Sequence, residues 1–410
     1  MPVATVFRPL RDAGWVNRER LTRWGYGFAA ITLVAILWRA SVTIGGAPLG
    51  WDFINYYAGA SAATRGEAGL AYDRQWFAAL EQAVSGIPAS WGVYSYPPPA
   101  MLLSLPIAQL PLGVALIVWS AVGVGLVFAM LRRLVGTRQA AIAVIAAPAA
   151  LCNLMSGQAG YFTAALLAGG LMLLERRPIL AGVCFGGLCY KPHLGLLLPL
   201  VLVADRRWST FLAAAATVVV LGAGSLVLFG HEAWAGFIHN LGINALLIEE
   251  HTARWYRIPT VFVGFRALGA PRSVCYAAQA ISALCALAAV IAVWRSSVSR
   301  EVKSAALAIA VFLATPYAWD YDMVVLVFAA AWIGCEGLRN EFLPWERLSI
   351  LLLLTMPLLA DAAGAAAGVP VAPILMWLAL LALVGRAAQR RTACDERRHH
   401  ASPSGVMSAG

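Results

Sequence analysis

Charge is scarce in this 410-residue chain. Only 12% of its residues are Asp, Glu, Lys or Arg, where a soluble domain carries roughly 25%. With 61% hydrophobic residues and a mean hydropathy of +0.74, this excludes a disordered or collagen-like chain and argues against a soluble globular fold. Paired cysteines are missing as well. None of Cys152, Cys184, Cys189, Cys275, Cys285, Cys335 and Cys394 forms a CxxC, and most lie in apolar runs. Neither a disulfide framework nor a zinc site is expected, and the cysteines read as small buried hydrophobes. There is no Walker sequence, which argues against ATP-driven transport by this chain. No nucleic-acid module and no solenoid-length repeat is visible. With no clean metal cluster either, no metal or other cofactor is expected. The formal net charge of +10 is then best read as basic residues gathered in cytoplasmic loops.

What remains is a series of apolar runs, several near the twenty residues needed to cross a bilayer core of about 30 Å as helix. The chain is expected to be an all-α polytopic membrane protein. Arg8, Arg11, Arg18, Arg20 and Arg23 precede the first run without a small-residue cleavage site, so an uncleaved first span at 26–44 is expected. A polar, aromatic-rich outer loop follows over 45–97. The stretch from Pro97, interrupted by Pro106 and Pro111, is too short to cross and reads as interfacial or re-entrant. Further apolar segments fall at 113–131, 139–153, 160–174, 178–190, 192–204 and 209–229. A second outer loop covers 230–272. Spans near 273–294, 303–316, 322–336, 347–360 and 371–386 precede a basic tail, 389–410, expected to be disordered. With the N-terminus inside, alternation puts 22 Lys and Arg on the cytoplasmic side, 7 outside and Arg39 within the first span. That asymmetry supports the orientation.

Polar residues collect in the turns this topology places outside. Asp52 directly follows the first span, so the bilayer fixes its height. It reads equally as a general base able to take a proton from an acceptor hydroxyl or as a helix cap. Asp73 reads better as turn chemistry. Lys191, before Pro192 and His193, is costly in apolar surroundings unless paired or wet. It suits either an anion or a snorkelling position. Arg254 and Arg257 would fit a phosphate through their forked donors, or serve as surface charge near lipid head groups. Asp320 and Asp322 read as partners of loop arginines or as caps. Gln158, with Gly157, marks another outer turn, and His231, His239 and His251 lie in the second outer loop. Tyr56, Tyr57, Tyr96 and Trp319 are interface anchors or sugar platforms.

Asp52-Phe53 with Tyr56-Tyr57 after the first span, then Tyr72-Asp73, then Tyr96-Pro97-Pro98, resembles glycosyltransferase family 87. Gly157-Gln158, Lys191-Pro192 and a Pro316-Tyr317-x-Trp319 turn agree in order, over most of about 25–340. The resemblance implies a GT-C-type bundle of about 11–13 transmembrane helices, occupying 26–388 after a cytoplasmic segment 1–25, with a helical first outer loop. It implies a polyprenyl-phosphate sugar donor, mannose being the sugar of the family's characterised type, and a glycolipid or glycan acceptor. Asp52 matches the family's aspartate and would act as base, with inversion at the anomeric carbon. Lys191 or Arg254 would stabilise the departing phosphate. The substrate-binding set is then Tyr56, Tyr57, Tyr96, Gln158, Lys191, His193, Arg254, Arg257, Trp319, Asp320 and Asp322. The setting would be the bacterial inner membrane, with the site on the periplasmic or external face. Many relatives carry histidine in the late turn where this chain reads Asp320-Tyr321-Asp322, so that residue's role does not transfer. The competing reading is a secondary transporter or lipid flippase, motivated by the helix break at Lys191-Pro192. A membrane scaffold would leave the one-sided polar clustering unexplained.

Overall fold

The computed structural model describes residues 7–41, 48–87, 92–250 and 255–401, and its regular structure is entirely helical, with no strand among these residues. Seven helices among them are long and apolar enough to cross a membrane: Arg18–Ser41, Leu112–Val135, Trp208–Gly242, Arg272–Trp294, Asp320–Asn340, Glu346–Ala367 and Val371–Arg390. The pair Thr137–Ala146 and Pro148–Ser156, bent by 57°, makes an eighth if it is one span. The bend has a local cause. Pro148 disfavours helical geometry at the residue before it, and Ala147 is extended at φ −64° and ψ 129°.

The expected count of 11–13 also included shorter segments, and these are present as Gly160–Leu173, Pro178–Tyr190, Pro192–Ala204 and Arg300–Ala314. The last spans only about 22 Å by helical rise. Every residue from Ser304 to Ala314 is buried, packed among the neighbouring helices of the main core. A helix enclosed by protein does not have to match the bilayer thickness. The first helix is the opposite case: within Arg18–Ser41 only Gly25 and Thr32 are buried, so it lies at the periphery.

Two segments differ from expectation. The helix beginning at Trp208 does not stop at 229. It kinks at Gly230, whose φ of 79° favours glycine, and continues to Glu250. The part after the kink seats on the first outer loop: Gly236 lies against Tyr72, and Asn240 Nδ2 donates to the Tyr72 carbonyl at 2.7 Å. Much of the expected second loop is therefore a helix covering the first. The last helix, Val371–Ala401, likewise takes in residues 389–401 of the segment expected to be a disordered tail, and 402–410 lie outside the described residues.

Basic side chains of the turns expected inside meet one another at one end of the bundle. Arg207 pairs with Glu175 and Asp205, beside Arg300 and Lys303. Arg386, 2% exposed, is held between Glu336 and Glu346. The turns expected outside meet at the other end.

Candidate active site

Backbone hydrogen bonds clamp the entry to the first loop onto the bent helix pair. The Gly50 and Asp52 amides donate to the carbonyls of Met155 and Ser156, both at 2.9 Å. Asp52 therefore stands at the N-terminal cap position of Phe53–Thr64, yet its side chain makes no capping hydrogen bond. Asp73 shows the contrast, its Oδ1 accepting from the Trp76 amide at 2.8 Å as an ordinary cap. The two loop aspartates thus separate into a structural one and one whose carboxylate faces a cavity.

The turn at 156–160 depends on glycine twice. Gly157 adopts φ 69° against Phe53, where a Cβ would come within 2.6 Å of the Phe53 Cβ. At Gly160 a Cβ would fall on the Tyr321 carbonyl oxygen and on Asn153 Nδ2. Asn153 Nδ2 also donates to that carbonyl at 3.4 Å. This approach brings the Trp319–Met323 turn against the 156–160 turn.

Lys191 emerges where the chain leaves the 3-10 turn Leu188–Tyr190 before Pro192. Its Nζ lies 2.7 Å from Asp322 Oδ1, with side-chain exposures of 3% and 1%, and 4.9 Å from the Tyr321 ring centroid. Asp322 Oδ2 accepts from the Trp319 amide at 3.3 Å, so one carboxylate anchors both the lysine and its own turn. Arg257 grips Asp320 with two donors, Nε to Oδ2 at 2.7 Å and Nη2 to Oδ1 at 3.1 Å, and lies 6.0 Å from the Trp319 ring centroid. Burial disfavours the Arg257 charge, but the Asp320 carboxylate more than offsets this, holding the guanidinium pKa above its ordinary value. Asp320 has the loop-arginine partner that was expected of it, whereas Asp322 pairs with Lys191 and closes its own turn through the Trp319 amide.

These turns enclose a cavity of about 920 Å³. Of the residues singled out from sequence, Asp52, Tyr96, Gln158, Lys191, His193, Arg257, Trp319, Asp320 and Asp322 line it. Tyr96 exchanges hydrogen bonds with Gln158. Tyr56 stands behind Tyr96, ring on ring at 4.3 Å. Tyr57 is turned away, its hydroxyl donating to the Leu110 carbonyl at 2.8 Å. Arg254 and His251 lie outside the described residues. His231 and His239 are exposed and do not line the cavity.

Among the lining residues to which no role attaches from sequence are Arg39, Asn55 and Asp361. Asp361 had a usable signal. It is the only charged residue between Arg347 and Arg386, and an ionisable group inside a membrane helix is a site candidate by default. Phe237, Leu241 and Ala245, from the helix beyond Gly230, add an apolar wall. The cavity thus combines a carboxylate that can accept a proton, cations that can face an anion, aromatic rings and a greasy flank.

The family model described as glycosyltransferase family 87 matches residues 94–316. Comparison with curated proteins and with solved structures finds no match.

Proposed function

The chain belongs to glycosyltransferase family 87, and on that premise we propose that it moves a sugar, mannose being the first candidate, from a polyprenyl-phosphate donor to a hydroxyl of a glycolipid or glycan acceptor. As a family member with many apolar helices it is a multi-pass membrane glycosyltransferase. The setting we propose is the bacterial inner membrane, with the cavity facing the periplasm or exterior, in keeping with the bias of Lys and Arg toward the other turns.

The observation that carries this reading is the presence of Asp52, Lys191 and Arg257 in the lining of one cavity that also has an apolar wall. In the proposed step the acceptor hydroxyl gives its proton to the Asp52 carboxylate. Its oxygen forms a bond to the anomeric carbon from the face opposite the phosphate. The bond from that carbon to the phosphate oxygen breaks, and the polyprenyl phosphate leaves with the electron pair. Configuration inverts. Arg257 and Lys191 face the charge that develops on the phosphate, and preorganised donors of this kind act where charge appears in the transition state. Phe237, Leu241 and Ala245 receive the first isoprene units.

The test is transfer of labelled mannose from a polyprenyl-phosphate mannose to a membrane glycolipid fraction by the purified protein in nanodiscs. Asp52→Asn should lower kcat by about 10²–10⁴-fold, the usual worth of a general base. Transfer at the wild-type rate by this variant would remove Asp52 from the role.

A further inference from the structure

Asn55 lies one helical turn beyond Asp52 on Phe53–Thr64, and it is 4% exposed. Both protons of its amide are committed. Nδ2 donates to Glu81 Oε1 at 3.1 Å and to the Val93 carbonyl at 2.9 Å. Glu81 is itself fully buried and accepts the Gly92 amide at 3.0 Å. The amide orientation is thereby fixed, since turning it over would set its oxygen against a carboxylate and a carbonyl. What remains is Oδ1, a pure acceptor, buried and without a protein partner, on a residue that lines the cavity.

Asp361 presents the same situation from another direction. It sits on Glu346–Ala367, lines the cavity, and its Oδ1 is buried without a protein donor. Its helix is seated on the Arg257 turn, because a Cβ at Gly364 would fall on Tyr256. Among the described residues the other buried side-chain atoms lacking partners, on Tyr56, Tyr94, Thr210 and Glu336, belong to residues that do not line this cavity. A buried acceptor without a donor is unfavourable, because it gives up its hydrogen bonds to water and gains none in exchange. A phosphate cannot relieve it, because an anionic oxygen donates nothing. A ligand carrying several hydroxyl groups can.

We propose that Asn55 Oδ1 and Asp361 Oδ1 accept hydrogen bonds from two hydroxyl groups of the sugar being transferred. The assignment rests on the glycosyl-transfer reading above. Asn55 approaches from the side of the base, Asp361 from the side of the Arg257–Asp320 pair, and the donor sugar must lie between the base and the phosphate. These two residues then set which sugar is accepted, since a site built to bond a hydroxyl discriminates strongly against an analogue lacking it.

The test compares wild type, Asn55→Ala, Asp361→Ala and Glu81→Gln in nanodiscs. Binding of undecaprenyl monophosphate and of mannosyl-phospho-undecaprenol is measured, together with KM for the latter in transfer. Each alanine variant should bind the bare lipid phosphate within about twofold of wild type and lose about tenfold toward the sugar-bearing lipid, the effect of one hydrogen bond. Glu81→Gln disturbs the same buried anchor while keeping Oδ1 in place. A loss shared equally by both lipids, or one equally large in Glu81→Gln, would make Asn55 structural and overturn its assignment. A change confined to the acceptor KM, or none at all while wild type transfers, overturns the proposal for the residue concerned. A wild type that transfers nothing and binds the two lipids equally would remove the proposed function itself.

Discussion

Replacing Lys191 with methionine keeps most of the side-chain volume and removes the ammonium. Asp322 then keeps the Trp319 amide at 3.3 Å on Oδ2 but loses the cation at 2.7 Å on Oδ1, at a site 1% exposed. Breaking a buried pair from one side costs about 3–5 kcal/mol, because the remaining charge is left uncompensated. For Lys191→Met the melting temperature in detergent should therefore fall on the order of 5–10 °C. Asp322→Asn should also destabilise, since it leaves a buried ammonium facing a neutral amide. The double variant Lys191→Met with Asp322→Asn removes both charges and keeps an acceptor for the Trp319 amide. It should return to within about 1–2 kcal/mol of wild type, so that the cycle shows a coupling of at least about 2 kcal/mol. Thermal unfolding of the four proteins followed by circular dichroism measures it. Additive single effects would refute the pair as a coupled contact. The same double variant tests the chemistry: folded yet at least tenfold slower in transfer, it supports a phosphate-facing lysine. Transfer at the normal rate would assign Lys191 to the scaffold alone.

Gly160→Ala must displace the Tyr321 carbonyl or Asn153, so a destabilisation of about 1–3 kcal/mol should come with loss of transfer, read by melting and by activity. Asp73→Ala removes the cap on the Trp76 amide and should cost about 1 kcal/mol while kcat stays within about twofold, since the carboxylate is spent on the helix. Arg257→Lys cannot reproduce the two-donor grip on Asp320. Transfer should fall about tenfold or more, and recovery of the full rate with lysine would show that only the charge at this position matters.

Much of this architecture was readable before any coordinates, for physical reasons. Lipid demands apolar runs, so the long helices announced themselves, and the positions of Asp52, Lys191, Arg257, Asp320 and Asp322 followed from the rarity of charge beside such runs. Partnership was not readable. Lys191 and Asp322 lie far apart in the chain, and nothing local to either says that they meet. The continuation past Gly230 was hidden because glycine at φ 79° is compatible with a loop as well as with a kink between two helices. Tyr57 shows the limit of a pattern match: the resemblance places it beside Asp52, but residues at i and i+5 on a helix point in different directions, and its hydroxyl goes to Leu110. Asp361 carries the signal of an ionisable residue inside an apolar helix, but it stands alone there, and nothing local to it points to the turns that it meets.

The described cavity lining carries three cationic side chains, Arg39, Lys191 and Arg257, against four carboxylates, Asp52, Asp320, Asp322 and Asp361. A pocket that held an anionic lipid phosphate by net charge would carry a positive excess, and this one does not. The proposed reaction removes the difficulty. A glycosyl polyprenyl phosphate is a diester with one negative charge, and its leaving group is a monoester with two. In the same step Asp52 takes the acceptor proton and loses its own charge. The total is unchanged; one unit of negative charge moves from the base toward the phosphate. A strongly positive pocket would hold the substrate and, still more tightly, the product. A balanced pocket with cations fixed near the phosphate stabilises the displacement of charge instead, which is the quantity that lowers the barrier. Asp320 and Asp322 then act as positioning residues, keeping Arg257 and Lys191 oriented before the phosphate arrives. On the same proposal, affinity for the donor would fall mainly to its isoprenoid chain, at about 0.8 kcal/mol per buried methylene, against Phe237, Leu241 and Ala245.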